Sequence, residues 1–203
     1  MELRKFLIPA PAGEVEGVAH LPPSAPRAIA VVAHPLSTMG GTMENKVVTT
    51  LAKTFTELGY VTLRFNFRGV ENSSGQYDEG NGEVDDAVAV VRYAFEEFGA
   101  LPLILAGFSF GGYVQAKAAQ QLSPQQLVLI APAVGRFAMP PVPPGTLVVH
   151  GDADEVVALQ EVINWARPQQ LPVLVLPGAV HYFHGRLHQL KAIVSAHFTG
   201  HPL

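Results

Sequence analysis

Residues 103–112 read Leu103-Ile104-Leu105-Ala106-Gly107-Phe108-Ser109-Phe110-Gly111-Gly112. The opening apolar run suits a strand buried on both faces, and the stretch from about Phe110 to Gln121 reads as a helix. Between them lies Gly-x-Ser-x-Gly, in the order strand, sharp turn, helix. Glycines without Cβ atoms let the chain reverse tightly on either side of a serine. Such a turn exposes the Ser109 hydroxyl at a helix N-terminus, where the positive end of the dipole favours developing negative charge. A glycine-rich turn with an incidental serine is the plain alternative. The strand and helix that flank it favour a nucleophile.

Outward from this turn the chain alternates short apolar runs with longer amphipathic ones. Strands are predicted at Glu2–Ile8, Val15–Leu21, Arg27–His34, Tyr60–Asn66, Leu103–Gly107, Gln126–Ala131, Thr146–His150 and Pro172–Leu176. The last five are nearly pure apolar, as the parallel centre of an α/β sheet requires. The first three are noisier and read as an antiparallel lead-in. Helices are predicted at Met43–Leu58, Gly82–Phe98, Phe110–Gln121, Leu159–Ala166 and Leu187–His197. In the second of these Glu83, Asp85, Asp86, Glu96 and Glu97 are expected to face water. The pattern predicts one α/β domain over residues 1–203, built on a doubly wound, mostly parallel sheet of about eight strands. In such sheets ligands sit at the carboxyl ends of the strands.

Composition narrows the function. The chain has 203 residues, 48% of them hydrophobic and 15% charged, which argues against disorder. Its 13 basic and 17 acidic residues leave a formal net charge of −4, with no basic cluster of the kind nucleic acid demands. With no cysteine, disulfides, thiolate metal ligands and thiol nucleophiles are all excluded. No apolar run reaches the roughly 18 residues of a membrane helix. Arg4-Lys5 before Phe6-Leu7-Ile8 resembles a leader, but Pro9, Pro11, Glu14 and Glu16 interrupt it, so a first strand is expected there. The expectation is a soluble cytoplasmic protein, monomer or homodimer, acting on a small molecule without metal or cofactor.

A serine hydroxyl needs a base, and on this architecture an acid and then a histidine should follow it in the chain. The acids after Ser109 are Asp152, Asp154, Glu155 and Glu161. Asp152 and Asp154 directly follow the strand ending at His150, and His181 and His184 follow the last strand. Three strand ends thus offer a serine, a carboxylate and an imidazole in the required order. Either aspartate and either histidine could serve. His181, His184 and His188, with His150 and Asp152, lack the spacing of zinc peptidases. The two N–H donors for an oxyanion are expected from Phe110 and from Leu36, in the loop after the third strand. His34 and Pro35 should fix that loop. Arg68 is expected to be neutralised by Glu83 and Asp86 as a structural ion pair.

Five segments, "AHPLSTMGGTMENKVV" (33–48), "RFNFRGVENSSGQYDEGNGEVDD" (64–86), "GFSFGG" (107–112), "HGDADEVV" (150–157) and "GAVHYFHGRL" (178–187), give a resemblance over nearly the whole chain. The sequence resembles the small lidless serine hydrolases, carboxylesterase-like, of the α/β-hydrolase superfamily. That resemblance implies a Ser109-His181-Asp154 triad cleaving small carboxylic esters through an acyl-enzyme. Thioester, amide and peptide bonds are alternatives on the same triad, and a non-catalytic binding module is a third reading. The pattern departs at Leu36-Ser37, where relatives often repeat His-Pro, at Glu71, where glycine is common, and at Val180, where a polar residue is common. His34, Phe108, Phe137, Met139 and Phe183 are the expected substrate contacts, and Asp152 is expected to hold loop backbone. The connection 132–145, where lidded relatives insert a cap, has fourteen residues, five of them proline. No cap fits there, so acyl chains of about two to six carbons are expected to be preferred.

Overall fold

Apolar runs with no polar alternation need cover on both faces, and the sheet provides it. The structure, a computed structural model, describes residues 2–200. In chain order it forms β1 (Glu2–Ala10), β2 (Gly13–Leu21), β3 (Ile29–Ala33), α1 (Lys46–Glu57), β4 (Val61–Phe65), α2 (Asn81–Phe98), β5 (Leu103–Phe108), α3 (Phe110–Leu122), β6 (Gln126–Ile130), β7 (Leu147–Gly151), α4 (Leu159–Ala166), β8 (Val173–Leu176) and α5 (Leu187–Gly200). The strands make one sheet in the order β1-β2-β4-β3-β5-β6-β7-β8. From β4 to β8 every neighbouring pair is parallel, while β1 with β2 and β2 with β4 are antiparallel.

Strand periodicity divides the core into two layers. Ile29, Val31 and Ala33 of β3 face a layer with Val84 and Val91 of α2, Val114 of α3 and Val162 of α4. Ala30 and Val32 face the other, with Leu51 and Phe55 of α1 and Leu190, Val194 and Phe198 of α5. The helices therefore cover both faces, the architecture of an α/β hydrolase. Between β6 and β7 the chain is irregular and builds no cap. Trp165 Nε1 donates to the Pro140 carbonyl (3.3 Å), and the Gln169 side chain accepts from the Val142 N–H (2.9 Å), so this connection lies against α4 and the turn after it.

Three expectations need correction. β3 is no antiparallel lead-in; it lies between β4 and β5, parallel to both and fully buried. β8 is an edge strand and only partly buried, despite its apolar sequence. Glu83 and Asp86 do not face water, both being 0% exposed. Glu83 turns back to accept from the N–H groups of Gly80 (2.8 Å) and Asp78 (2.9 Å), capping α2. Asp86 alone holds Arg68, with Oδ1 on Nη2 (2.8 Å) and Oδ2 on Nε (3.1 Å). Both carboxylates are buried because backbone and guanidinium donors satisfy them.

Candidate active site

Ser109 joins β5 to α3 at φ 54 and ψ −115, a conformation that costs a non-glycine residue of order 1–3 kcal/mol. Its N–H donates to the Ile130 carbonyl (2.9 Å), and its carbonyl accepts from Gly112 N–H (2.9 Å), so the surroundings hold the strain in place. The flanking glycines serve close approach. A Cβ on Gly107 would strike the backbone of Gly111, and one on Gly111 would strike the carbonyls of Ala33 and His34. The start of α3 thereby packs directly onto the end of β3.

Around this turn the sheet edge assembles a hydrogen-bonded chain. His181 Nε2 lies 3.0 Å from Ser109 Oγ, and His181 Nδ1 lies 2.7 Å from Asp154 Oδ2. With Nδ1 protonated toward the carboxylate, Nε2 is free to accept the serine proton. Asp154 Oδ1 accepts from the N–H groups of Val156 (2.9 Å) and Val157 (2.8 Å), which locks the loop after β7 around the acid. Burial alone would raise the Asp154 pKa. The bonds from His181, Val157 and Val156 outweigh it and hold the carboxyl below its ordinary value. Phe108 and Tyr182 flank the imidazole, with ring centres 5.0 Å and 5.2 Å from it. Asp152 accepts from the Gly178 N–H, and His184 is exposed and stacks on Tyr182; neither enters the chain.

The loop after β3 lies beside the serine and borders the same cleft. The N–H of Phe110 opens α3 and has no intrahelical acceptor. The Leu36 N–H lies in the segment His34-Pro35-Leu36, of which Pro35 and Leu36 line the cleft. His34 braces this segment: its Nδ1–H donates to the Pro35 carbonyl (2.6 Å), and its Nε2 accepts from the Phe67 N–H (3.0 Å). Burial lowers its pKa to about 4, only partly opposed by the bond to Pro35, so the ring is neutral. Gly41 closes the loop, since its N–H donates to the Leu36 carbonyl (3.0 Å) and any Cβ would strike the Pro35 carbonyl.

The cleft in front of Ser109 encloses about 510 Å³, counting its open mouth, and its walls include Leu36, Met39, Arg136, Phe137, Val156 and Tyr182. Of the expected substrate contacts only Phe137 is among these walls. His34, Phe108 and Phe183 are 0% exposed, being respectively the loop brace, a ring behind His181 and a residue of the α5-side core. Met139 packs on the opposite core layer. Met39, Arg136, Val156 and Tyr182 take their place in the walls, and His150 lies fully buried beneath the acid, outside the cleft. His150 Nε2 donates to the Val157 carbonyl (2.9 Å) and lies 3.5 Å from Asp154 Oδ2. Among the described residues no three His, Asp or Glu side chains converge as metal ligands, and no helix is long and apolar enough to cross a membrane.

Residues 24–145, more than half of the chain, match the family described as serine aminopeptidase, S33. The chain belongs to that family. As an S33 member it is similar to a lidless α/β serine hydrolase of Xanthomonas campestris, with 41% identity and a TM-score of 0.93 over 98% of this chain and 94% of the other. A serine hydrolase homologue of Coxiella burnetii is also 41% identical, with a TM-score of 0.86 over 95% and 96% of the two chains. An uncharacterized protein of Rickettsia prowazekii is 30% identical over 91% of this chain and 84% of its own. The S33 chain is thus an α/β serine hydrolase fold without a lid.

Proposed function

We propose that this chain is a serine hydrolase of small carboxylic esters. The observation that carries the reading is the unbroken chain Ser109–His181–Asp154 at a strained strand-to-helix turn. Asp154 keeps the proton on His181 Nδ1. Nε2 takes the proton of Ser109 as Oγ attacks the ester carbonyl, and the oxyanion accepts from the N–H groups of Phe110 and Leu36. Collapse of the tetrahedral adduct breaks the bond to the alcohol oxygen, which leaves with the proton from His181. Water then gives a proton to the same imidazole, attacks the acyl-enzyme, and releases the acid and the free serine.

Thioesters, amides and peptides meet the same machinery, so the walls of the cleft weigh the choice. An aminopeptidase needs an acid to hold the substrate's N-terminal ammonium; among the described residues the cleft walls hold none, and the exposed acid beside them, Glu155, accepts from the His181 N–H (3.3 Å). That favours esters over N-terminal peptides for this member of the S33 family. A fluorophosphonate probe tests the assignment, with labelling expected on wild type and lost in Ser109→Ala together with nitrophenyl acetate hydrolysis. Labelling that survives in Ser109→Ala would move the nucleophile. A wild type that is neither labelled nor active would leave a binding module on a hydrolase fold.

A further inference from the structure

Among the described residues that line the cleft, Arg136 is the one arginine, lysine, aspartate or glutamate. Its guanidinium has no carboxylate within ion-pair distance among the described residues. Arg4, Arg64 and Arg68 are paired with Glu97, Glu44 and Asp86, whereas Arg27, Arg92, Arg167 and Arg186 also lack such a partner among the described residues, so it is the place of Arg136 in the cleft wall that sets it apart. The side-chain bond that Arg136 makes runs from Nη1 to Met39 Sδ (3.3 Å), and a thioether is a weak acceptor. The carboxylate of Glu161 packs against Gly135, one residue earlier, yet stays out of ion-pair range of the guanidinium. In a chain with net charge −4 an unspent arginine at the mouth of the cleft is a feature to explain.

The backbone turn that carries the arginine is held in place by its surroundings. Gly135 turns the chain at φ 82, Phe137 N–H donates to the Ala133 carbonyl (3.2 Å), and Val134 bridges to Phe137. The Phe137 ring stacks on Tyr113 (4.9 Å, 20°) and touches Phe110 (5.1 Å), the residue after the serine. The turn carrying Arg136 is therefore fastened to the same aromatic cluster that underlies the elbow. A guanidinium presents a planar fork of donors matched to a carboxylate.

We propose that Arg136 reads a carboxylate on the substrate, a few atoms from the scissile carbonyl, so that the preferred esters are acidic ones. The proposal rests on the esterase reading above. Two matched pairs test it and locate the acid. One is glutaric acid monobutyl ester against its carboxamide, with the charge on the acyl side. The other is the butyryl ester of γ-hydroxybutyric acid against its carboxamide, with the charge on the alcohol side. In wild type the acid member of one pair should exceed its carboxamide in kcat/KM by about fivefold or more, and added salt should shrink the ratio. Arg136→Gln should bring that ratio to about one, and Arg136→Lys should keep part of it. Because the ratio is taken within each variant, a change in folding or turnover cancels. Equal use of acid and carboxamide in both pairs, or a preference untouched by Arg136→Gln, overturns the proposal and leaves the esterase reading standing. Hydrolysis of none of the four, with no fluorophosphonate labelling, overturns both.

Discussion

Between the Ser109 hydroxyl and the Asp154 carboxylate only one imidazole intervenes, so the proposed chemistry hangs on single atoms. Asp154→Asn and His181→Ala should each lower kcat by about 10⁴, because a triad works as a unit. Asp152→Asn keeps an oxygen for the Gly178 N–H, and His184→Ala loses only an exposed ring stacked on Tyr182, so both should stay within about tenfold of wild type. A reversed ranking in steady-state kinetics would relocate the triad. The strain at Ser109 gives a prediction that activity cannot see. Ser109→Ala and Ser109→Gly both lack the hydroxyl, but only glycine accepts φ 54 without a Cβ penalty. The glycine variant should be the more stable by about 1 kcal/mol in urea unfolding. An alanine variant as stable or more so would show the turn to be relaxed. The meeting of Ser109, His181 and Asp154 was legible because three strand ends present three polar residues in a fixed order. The cleft walls were not. His34, Phe108, Phe183 and Met139 stand beside the right strands, yet loop path decides which way each side chain points: the first three are fully buried, and Met139 packs half-buried against the core away from the cleft walls.

At the scale of elements, the site depends on how closely α3 approaches β3. Gly111 has no positive φ; it is required because the carbonyls of Ala33 and His34 occupy the space of a Cβ. Gly111→Ala should push α3 away, destabilise the protein by about 1–3 kcal/mol and carry the Phe110 N–H out of line with Leu36. Thermal unfolding and kcat should therefore fall together, and an alanine variant with wild-type values of both would refute the packing argument. The existence and order of the elements were readable from apolar periodicity and glycine stops. The place of β3 was not, because a short run such as Ile29–Ala33 looks alike at an edge and at the centre. Its neighbours in the sheet are β4 and β5, distant in sequence, and no local pattern encodes that pairing. Likewise Glu83 and Asp86 read as the wet face of α2 until the loop bearing Arg68 and Gly80 folds over them.

Over the whole molecule, acid should act first on the buried imidazoles. Burial lowers the pKa values of His20 and His34 to about 4 and also depresses that of His150, against about 6.5 for each when unfolded. Between these limits the unfolded chain binds the extra protons, so stability is full above pH about 6.5 and falls as pH drops toward 4. Each such histidine contributes a slope of up to about 1.4 kcal/mol per pH unit. Asp154, whose pKa is depressed, loses its own contribution only at lower pH, below the ordinary carboxylate range. Urea midpoints that stay flat from pH 7 to pH 4.5 would contradict the neutral, buried assignment. The absence of a cap sets the other global property, substrate size. The β6–β7 connection stays irregular along α4, and the cleft it borders is open at its mouth. An acyl chain therefore leaves protein cover after a few carbons, and the gain of about 0.8 kcal/mol per buried methylene stops there. In a nitrophenyl ester series from acetate to palmitate, kcat/KM should peak between about two and six carbons, rising at most about fourfold per added carbon before the peak. Activity should also show no jump when substrate passes its solubility limit, since no lid waits to open. A maximum at decanoate or beyond would require a covered apolar channel and would overturn the reading of an open cleft walled by Leu36, Met39, Phe137 and Val156 without a cap.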